Sequence, residues 1–251
     1  MNATKSQLIF WCARGACVLA VIAFLFALPA QAGIIGTVAI TATSGSGATM
    51  ETGTVNISVP LAGTWQHLSG TVIQDAGGHT LGSVTQVTLG TDTDPAVSLG
   101  FFVTAGASTT TFTISSPVVS FAPLTSQQGV ASAGVTLTDN DGDGASSTGL
   151  FGVGDAYEAR FNTSSVFADL VSPVSAAPDG TMTTSNHFPL SGTAPVPGTV
   201  TNILSEFNFT LSPNDSASGT SIFRVVPEPS SIALALVGAL ALLWHARHRW
   251  L

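Results

Sequence analysis

Between its two apolar ends the chain has no cysteine, since Cys12 and Cys17 both lie within the first seventeen residues. A disulfide framework is therefore excluded for residues 33–226, and stability there has to come from a packed core. Charge is scarce as well: only 8% of residues are Asp, Glu, Lys or Arg, against roughly 25% in an average soluble chain. Ser, Thr and Gly are left to form most of the surface. Basic residues are rarest, because Lys5, Arg14, Arg160, Arg224, Arg247 and Arg249 are the full set and only two of them fall in the middle. From Gly33 to Val226, ten aspartates and three glutamates face those two arginines, a formal net charge of −11. Nucleic-acid binding needs clustered Lys and Arg and is disfavoured. An acidic surface suits cations and solubility instead. Catalytic signatures are missing too. There is no H-E-x-x-H, G-x-S-x-G, C-x-x-C or P-loop, and His67, His79 and His187 share no metal-ligand spacing. An enzyme is accordingly not expected.

The two ends are informative. Lys5 and Arg14 precede an unbroken apolar run, Ala16 to Leu28, which is followed by Pro29-Ala30-Gln31-Ala32. Thirteen residues suit the core of a signal peptide and fall short of a spanning helix. Ala30 and Ala32 make an A-x-A cleavage site, so residues 1–32 read as a signal peptide and the mature chain begins at Gly33. Cys12 and Cys17 stand at or before the start of the apolar core, which argues against a lipidated cysteine. At the other end Val226-Pro227-Glu228-Pro229-Ser230-Ser231 leads into a second apolar run, residues 232–244, and then His245-Ala246-Arg247-His248-Arg249. The arginines place that end in the cytoplasm by the positive-inside rule. Thirteen residues span only about 20 Å as a helix, which makes a short transmembrane segment and a poor permanent anchor.

This tripartite tail, residues 226–251, resembles the PEP-CTERM sorting domain of Gram-negative bacteria. The resemblance implies export across the inner membrane by way of a signal peptidase. It further implies processing by a membrane-embedded exosortase near Pro227, Glu228 and Pro229, and delivery to the envelope, the surface or an exopolysaccharide-containing matrix. The membrane anchorage would be transient. Such tails occur on diverse passengers, so the resemblance implies a destination and not an activity.

The passenger, residues 33–225, alternates short runs of Val, Ile, Thr and Phe with clusters of Gly, Pro, Asn, Asp and Ser, the pattern of strands joined by turns. Amphipathic segments of helical period are lacking. Ten strands are expected: 34–43, 53–59, 64–73, 83–89, 96–104, 109–115, 129–137, 156–161, 203–211 and 220–225. Val55, Ile57 and Val59, and again Phe207, Phe209 and Leu211, alternate with polar residues as half-buried antiparallel strands do. The expectation is a single all-β domain, an antiparallel β-sandwich, with residues 189–198 as a long loop. Phenylalanines and Trp65 in such strands mostly fill the core, although rings on a sheet face also stack on sugars.

One segment carries chemistry. Asp139, Asp141 and Asp143 stand at alternate positions and Gly144 follows, matching D-x-[DN]-x-[DN]-G, the first half of a calcium loop. Leu150 stands where the bidentate Glu of a full loop belongs, and Asp155 and Glu158 are candidates for the missing oxygens. The alternative is a plain Asp/Asn/Gly hairpin turn between a strand ending at Leu137 and one starting near Ala156. The reading for the whole chain is an exported structural or adhesive protein of the cell surface or matrix, with calcium as its candidate cofactor. A carbohydrate-binding module is the second reading, favoured by a row of exposed aromatic rings on one sheet. A secreted hydrolase using Asp155, Glu158 and Glu206 is the third, favoured by two carboxylates set apart in a cleft.

Overall fold

The computed structural model describes residues 35–45, 50–60, 63–92 and 94–227, together with Gly238. The signal-peptide residues Ala30, Ala32 and Gly33, the motif residues Glu228 and Pro229, and the second apolar run apart from Gly238 lie outside the described residues. Among the described residues no helix is long and apolar enough to cross a membrane.

Among the described residues seventeen strands follow one another. The first six are β1 (Ile35–Ser44), β2 (Glu51–Pro60), β3 (Gly63–His67), β4 (Thr71–Gln74), β5 (Thr80–Asp92) and β6 (Ala96–Ala105). Next come β7 (Thr110–Ser115), β8 (Val119–Leu124), β9 (Gln127–Thr138), β10 (Ala145–Gly149), β11 (Tyr157–Phe161) and β12 (Ser165–Leu170). The last are β13 (Val174–Ala176), β14 (Thr181–Phe188), β15 (Ala194–Val196), β16 (Val200–Leu211) and β17 (Ser216–Pro227). They form two antiparallel sheets of a sandwich. The first runs β12-β11-β16-β7-β1-β2, with β8, β10 and β13 alongside; the second runs β14-β9-β17-β6-β5-β3, with β15 beside β9 and β4 beside β5.

The expected alternation is present where it was clearest. Ile57 and Val59 are buried on β2, and Phe207, Phe209 and Leu211 are fully buried on β16. Their inward faces meet a ring cluster: Phe101 of the second sheet lies edge-on to Phe207 at 4.9 Å and stacks on Phe209 at 5.7 Å. Small inward residues opposite make room for it. A Cβ on Gly219 would fall 2.3 Å from the Phe101 ring, so the neighbouring strand has to be bare there. Tyr157 is buried beside Phe207, its hydroxyl 2.9 Å from Ser205 Oγ, and burial pushes its pKa up to about 12. Most aromatic rings are thus core.

Three expectations need correction. Residues 64–73 are two strands, β3 and β4, broken at Leu68-Ser69-Gly70. The 189–198 segment contains β15, which extends the β14 edge along β9. The segment from Leu137 to Ala156 is not a hairpin loop, because β10 stands inside it and pairs with β13 and β16 of the opposite sheet. The aspartate loop therefore carries the chain from one sheet to the other.

Candidate metal centre

The crossing begins at Asp139, the residue after β9, and its buried carboxylate organises the turn. Asp139 Oδ1 accepts from the backbone N–H of Gly142 (3.1 Å) and Asp141 (3.4 Å), and Oδ2 accepts from the N–H of Asp179 (2.6 Å). Burial alone would raise its pKa, yet these backbone donors outweigh it and hold the group below the usual carboxylate range. Gly144 closes the loop at φ +98°, a backbone conformation that favours glycine, with the Ala176 carbonyl oxygen 3.3 Å from where a Cβ would sit.

A fourth carboxylate enters from the turn between β16 and β17. Asp215 is fully buried, and it accepts from Asn140 N–H (3.1 Å) and the Ser212 hydroxyl (2.5 Å). Asp139, Asp143 and Asp215 each offer one carboxylate oxygen, and these atoms lie within 4.8 Å of one another. Asp141 lies against Asp143 and accepts from Asn214 Nδ2 at 2.9 Å. Asp143 is held above its usual range, first by hydrogen bonding to Asp141, then by the charge of Asp141 and burial, with Asp215 and Asp139 adding to it. The geometry thus draws Asp139, Asp141 and Asp143 together and adds Asp215, which local spacing does not reveal because it lies 72 residues beyond Asp143 in the chain. Clustered carboxylates are the donor set a hard divalent cation takes.

Asp155 and Glu158 are placed elsewhere. Asp155 closes a turn with Phe151, and a Cβ on Gly152 would meet both Asp155 Oδ2 (3.5 Å) and Asp169 Oδ2 (3.2 Å). Glu158 sits on β11 directly opposite Asp169 of β12 and Glu206 of β16. Arg160 Nε donates to Glu158, and its guanidinium lies 4.0 Å from Glu206 Oε1 and 5.3 Å from the centre of the Phe151 ring. Burial and the neighbouring Glu158 push Asp169 upward. Glu158, Asp169 and Glu206 are thus cross-strand neighbours gathered around Arg160.

On the second sheet the exposed rings Phe102 and Phe188 stand on β6 and β14, three positions apart in strand order, and form no row. A shallow groove of about 330 Å³ does cross that face, lined by Gln86, Thr88, Phe102, Thr183, Ser185 and Thr220 among others.

No family model and no curated protein matches the chain. Among solved structures it is similar to one titled "Structure of infectious bursal disease virus Gx strain", at 15% identity and a TM-score of 0.25. That match covers 81% of this chain and 59% of the viral one, so the chain spans less than two thirds of it.

Proposed function

We propose that the chain is an exported structural or adhesive protein of the cell surface or extracellular matrix, sorted by an exosortase-type system in a Gram-negative envelope and associated with exopolysaccharide. The observation that carries this reading is the tripartite tail, residues 226–251. Its position on the fold supports it. β17 stays in register with β9 through Val226↔Gln128 and Pro227↔Gln127, so the Pro-Glu-Pro begins where the last strand leaves the sheet. Cleavage just beyond Pro227 would leave that central strand paired on both sides. The test is intact-mass analysis of the protein recovered from the surface of exosortase-bearing cells. The expected termini are Gly33 and a residue within 227–229; a surface form that keeps Met1 or Leu251 overturns the reading.

Calcium has its place in this reading as the ion that fixes the crossing between the sheets. Asp139, Asp143 and Asp215 come from two loops, and a cation bridging them would tie the start of β10 to the turn before β17. With Leu150 at the bidentate position, affinity should be that of extracellular modules, about 0.1–1 mM. Several millimolar calcium should then stabilise the full chain, held in mild detergent, by about 1–2 kcal/mol, raising its melting temperature by roughly 2 to 8 °C. Magnesium should do little, because it resists dehydration and demands a tighter octahedron. Asp143→Asn, at an exposed position, should abolish the response. A melting temperature that ignores calcium, or a response that survives Asp143→Asn and Asp141→Asn together, returns the loop to a plain turn.

Carbohydrate binding is a second reading, favoured by the uncharged hydroxyl-lined groove on the second sheet.

A further inference from the structure

We propose that Glu51, Asp75 and His79 bind a divalent transition-metal ion of the zinc class, which clips the edge of the first sheet to the second. The inference is independent of how the protein is exported and of the aspartate loop.

The three residues come from both sheets. Glu51 opens β2, the edge strand of the first sheet, opposite Ser44. Asp75 and His79 stand at the two ends of the turn joining β4 to β5 in the second sheet. That turn is fixed by its own hydrogen bonds: Asp75 N–H to the His79 carbonyl (3.1 Å), Gly78 N–H to the Asp75 carbonyl (3.2 Å) and His79 N–H to Asp75 Oδ1 (2.7 Å). The imidazole folds back over Gly77, where a Cβ would lie 3.2 Å from Nδ1. Its Nδ1 stands 2.8 Å from Asp75 Oδ2 and 3.5 Å from Glu51 Oε1. The corner is closed just beside the site. A Cβ on Gly53 would fall 2.2 Å from the Gln74 carbonyl oxygen, so the backbones of β2 and β4 are already in contact there.

One donor atom from each residue lies within 4.8 Å of the others. Zinc–ligand bonds of about 2.0–2.1 Å in a tetrahedron put donors about 3.4 Å apart. The Nδ1 to Glu51 distance already matches. The shorter Nδ1 to Asp75 distance is that of a hydrogen bond, and it needs to open by only about half an ångström when an ion replaces the shared proton. Exposure grades the set: the Asp75 side chain is 7% exposed, Glu51 44% and His79 70%. One ligand is rooted, two reach solvent, and the fourth coordination position is open to water. A nitrogen donor beside two carboxylates selects zinc-like ions over calcium, which takes oxygen ligands. In a passenger without cysteine, such a clip does the work of a disulfide at a sheet edge.

The experiment is a calorimetric titration of zinc chloride into the full chain in mild detergent, at mildly alkaline pH with saturating calcium present. The expected result is a zinc site that His79→Gln and Glu51→Gln each weaken about tenfold or more. His245→Gln with His248→Gln, in the tail, should leave it intact. Hydrogen exchange should show zinc protecting the 75–79 turn and the start of β2 together. A cooperative thermal transition close to the parent's should persist in His79→Gln and Glu51→Gln without added metal, which establishes that these variants fold. Absence of zinc binding, or binding unchanged in both variants, overturns the proposal. Loss with His79→Gln but not Glu51→Gln also overturns it, by reducing the site to an adventitious ion on one histidine.

Discussion

Phe207→Ala is expected to lower stability by about 3–5 kcal/mol, the range for emptying a buried phenylalanine site. Phe207 is fully buried, edge-on to Phe101 at 4.9 Å and 4.9 Å from the Tyr157 ring. Its ring joins the two sheets, and its β-strand neighbours cannot collapse into the void without breaking the pairing of β16 with β7 and β11. At about 2–4 °C per kcal/mol for a domain of this size, the melting temperature should fall by roughly 6 to 20 °C. Phe102→Ala is the control. Phe102 follows Phe101 in the chain but faces outward with its residue 37% exposed, so about 1 kcal/mol or less should be lost. Thermal melting of both variants decides the matter. Equal losses would mean that the inward and outward faces of the sandwich are wrongly assigned.

Gly149→Ala should destabilise by about 3 kcal/mol, at the upper end of what overpacking does. A Cβ at Gly149 would stand 1.9 Å from the Asp155 carbonyl carbon, 2.0 Å from its oxygen and 2.2 Å from Ala156 N. All three atoms are backbone, so no side chain can turn aside. The contact arises because β10 ends against the turn that leads into β11, where Gly149 N–H donates to the Gly154 carbonyl and Phe151 N–H to the Asp155 carbonyl. A methyl group has to push those bonds apart. Gly70→Ala is the comparison, since its nearest neighbour would be Thr85 Cγ2 at 3.9 Å; it should change stability by about 0.5 kcal/mol or less. Denaturant unfolding of the two variants provides the test, and a Gly149→Ala protein as stable as the parent would contradict the close approach.

The strands legible in the sequence are those with one face in the core. β1, β2, β6, β7, β9 and β16 alternate or run apolar because burial selects every second side chain, and β9 keeps that alternation over twelve residues. The strands that sequence reading missed are held differently. β14, Thr-Met-Thr-Thr-Ser-Asn-His-Phe, is exposed along almost its whole length. It is a strand because its backbone pairs with β9 from Thr181↔Thr138 to Phe188↔Ala131. Backbone hydrogen bonds are blind to side-chain type, so an edge strand has the composition of a turn. β10, β13 and β15 are equally short of apolar pattern, at five, three and three residues.

The sequence by itself determined the class of the fold, since period-2 alternation without helical period can bury its apolar face only as sheet on sheet. The spacing of Asp139, Asp141 and Asp143 was legible too, because alternate positions let carboxylates converge where the chain curls. Only the tertiary structure decided that this loop crosses between sheets and that Asp215 joins it, while Glu158 is buried beside Arg160 and opposite Glu206. It alone decided, too, that Glu51 meets Asp75 and His79 across the edges of two sheets. The reason is the same in each case. These partners come from strands whose pairing and register are fixed by the packing of the whole core, and no short window of sequence contains that information.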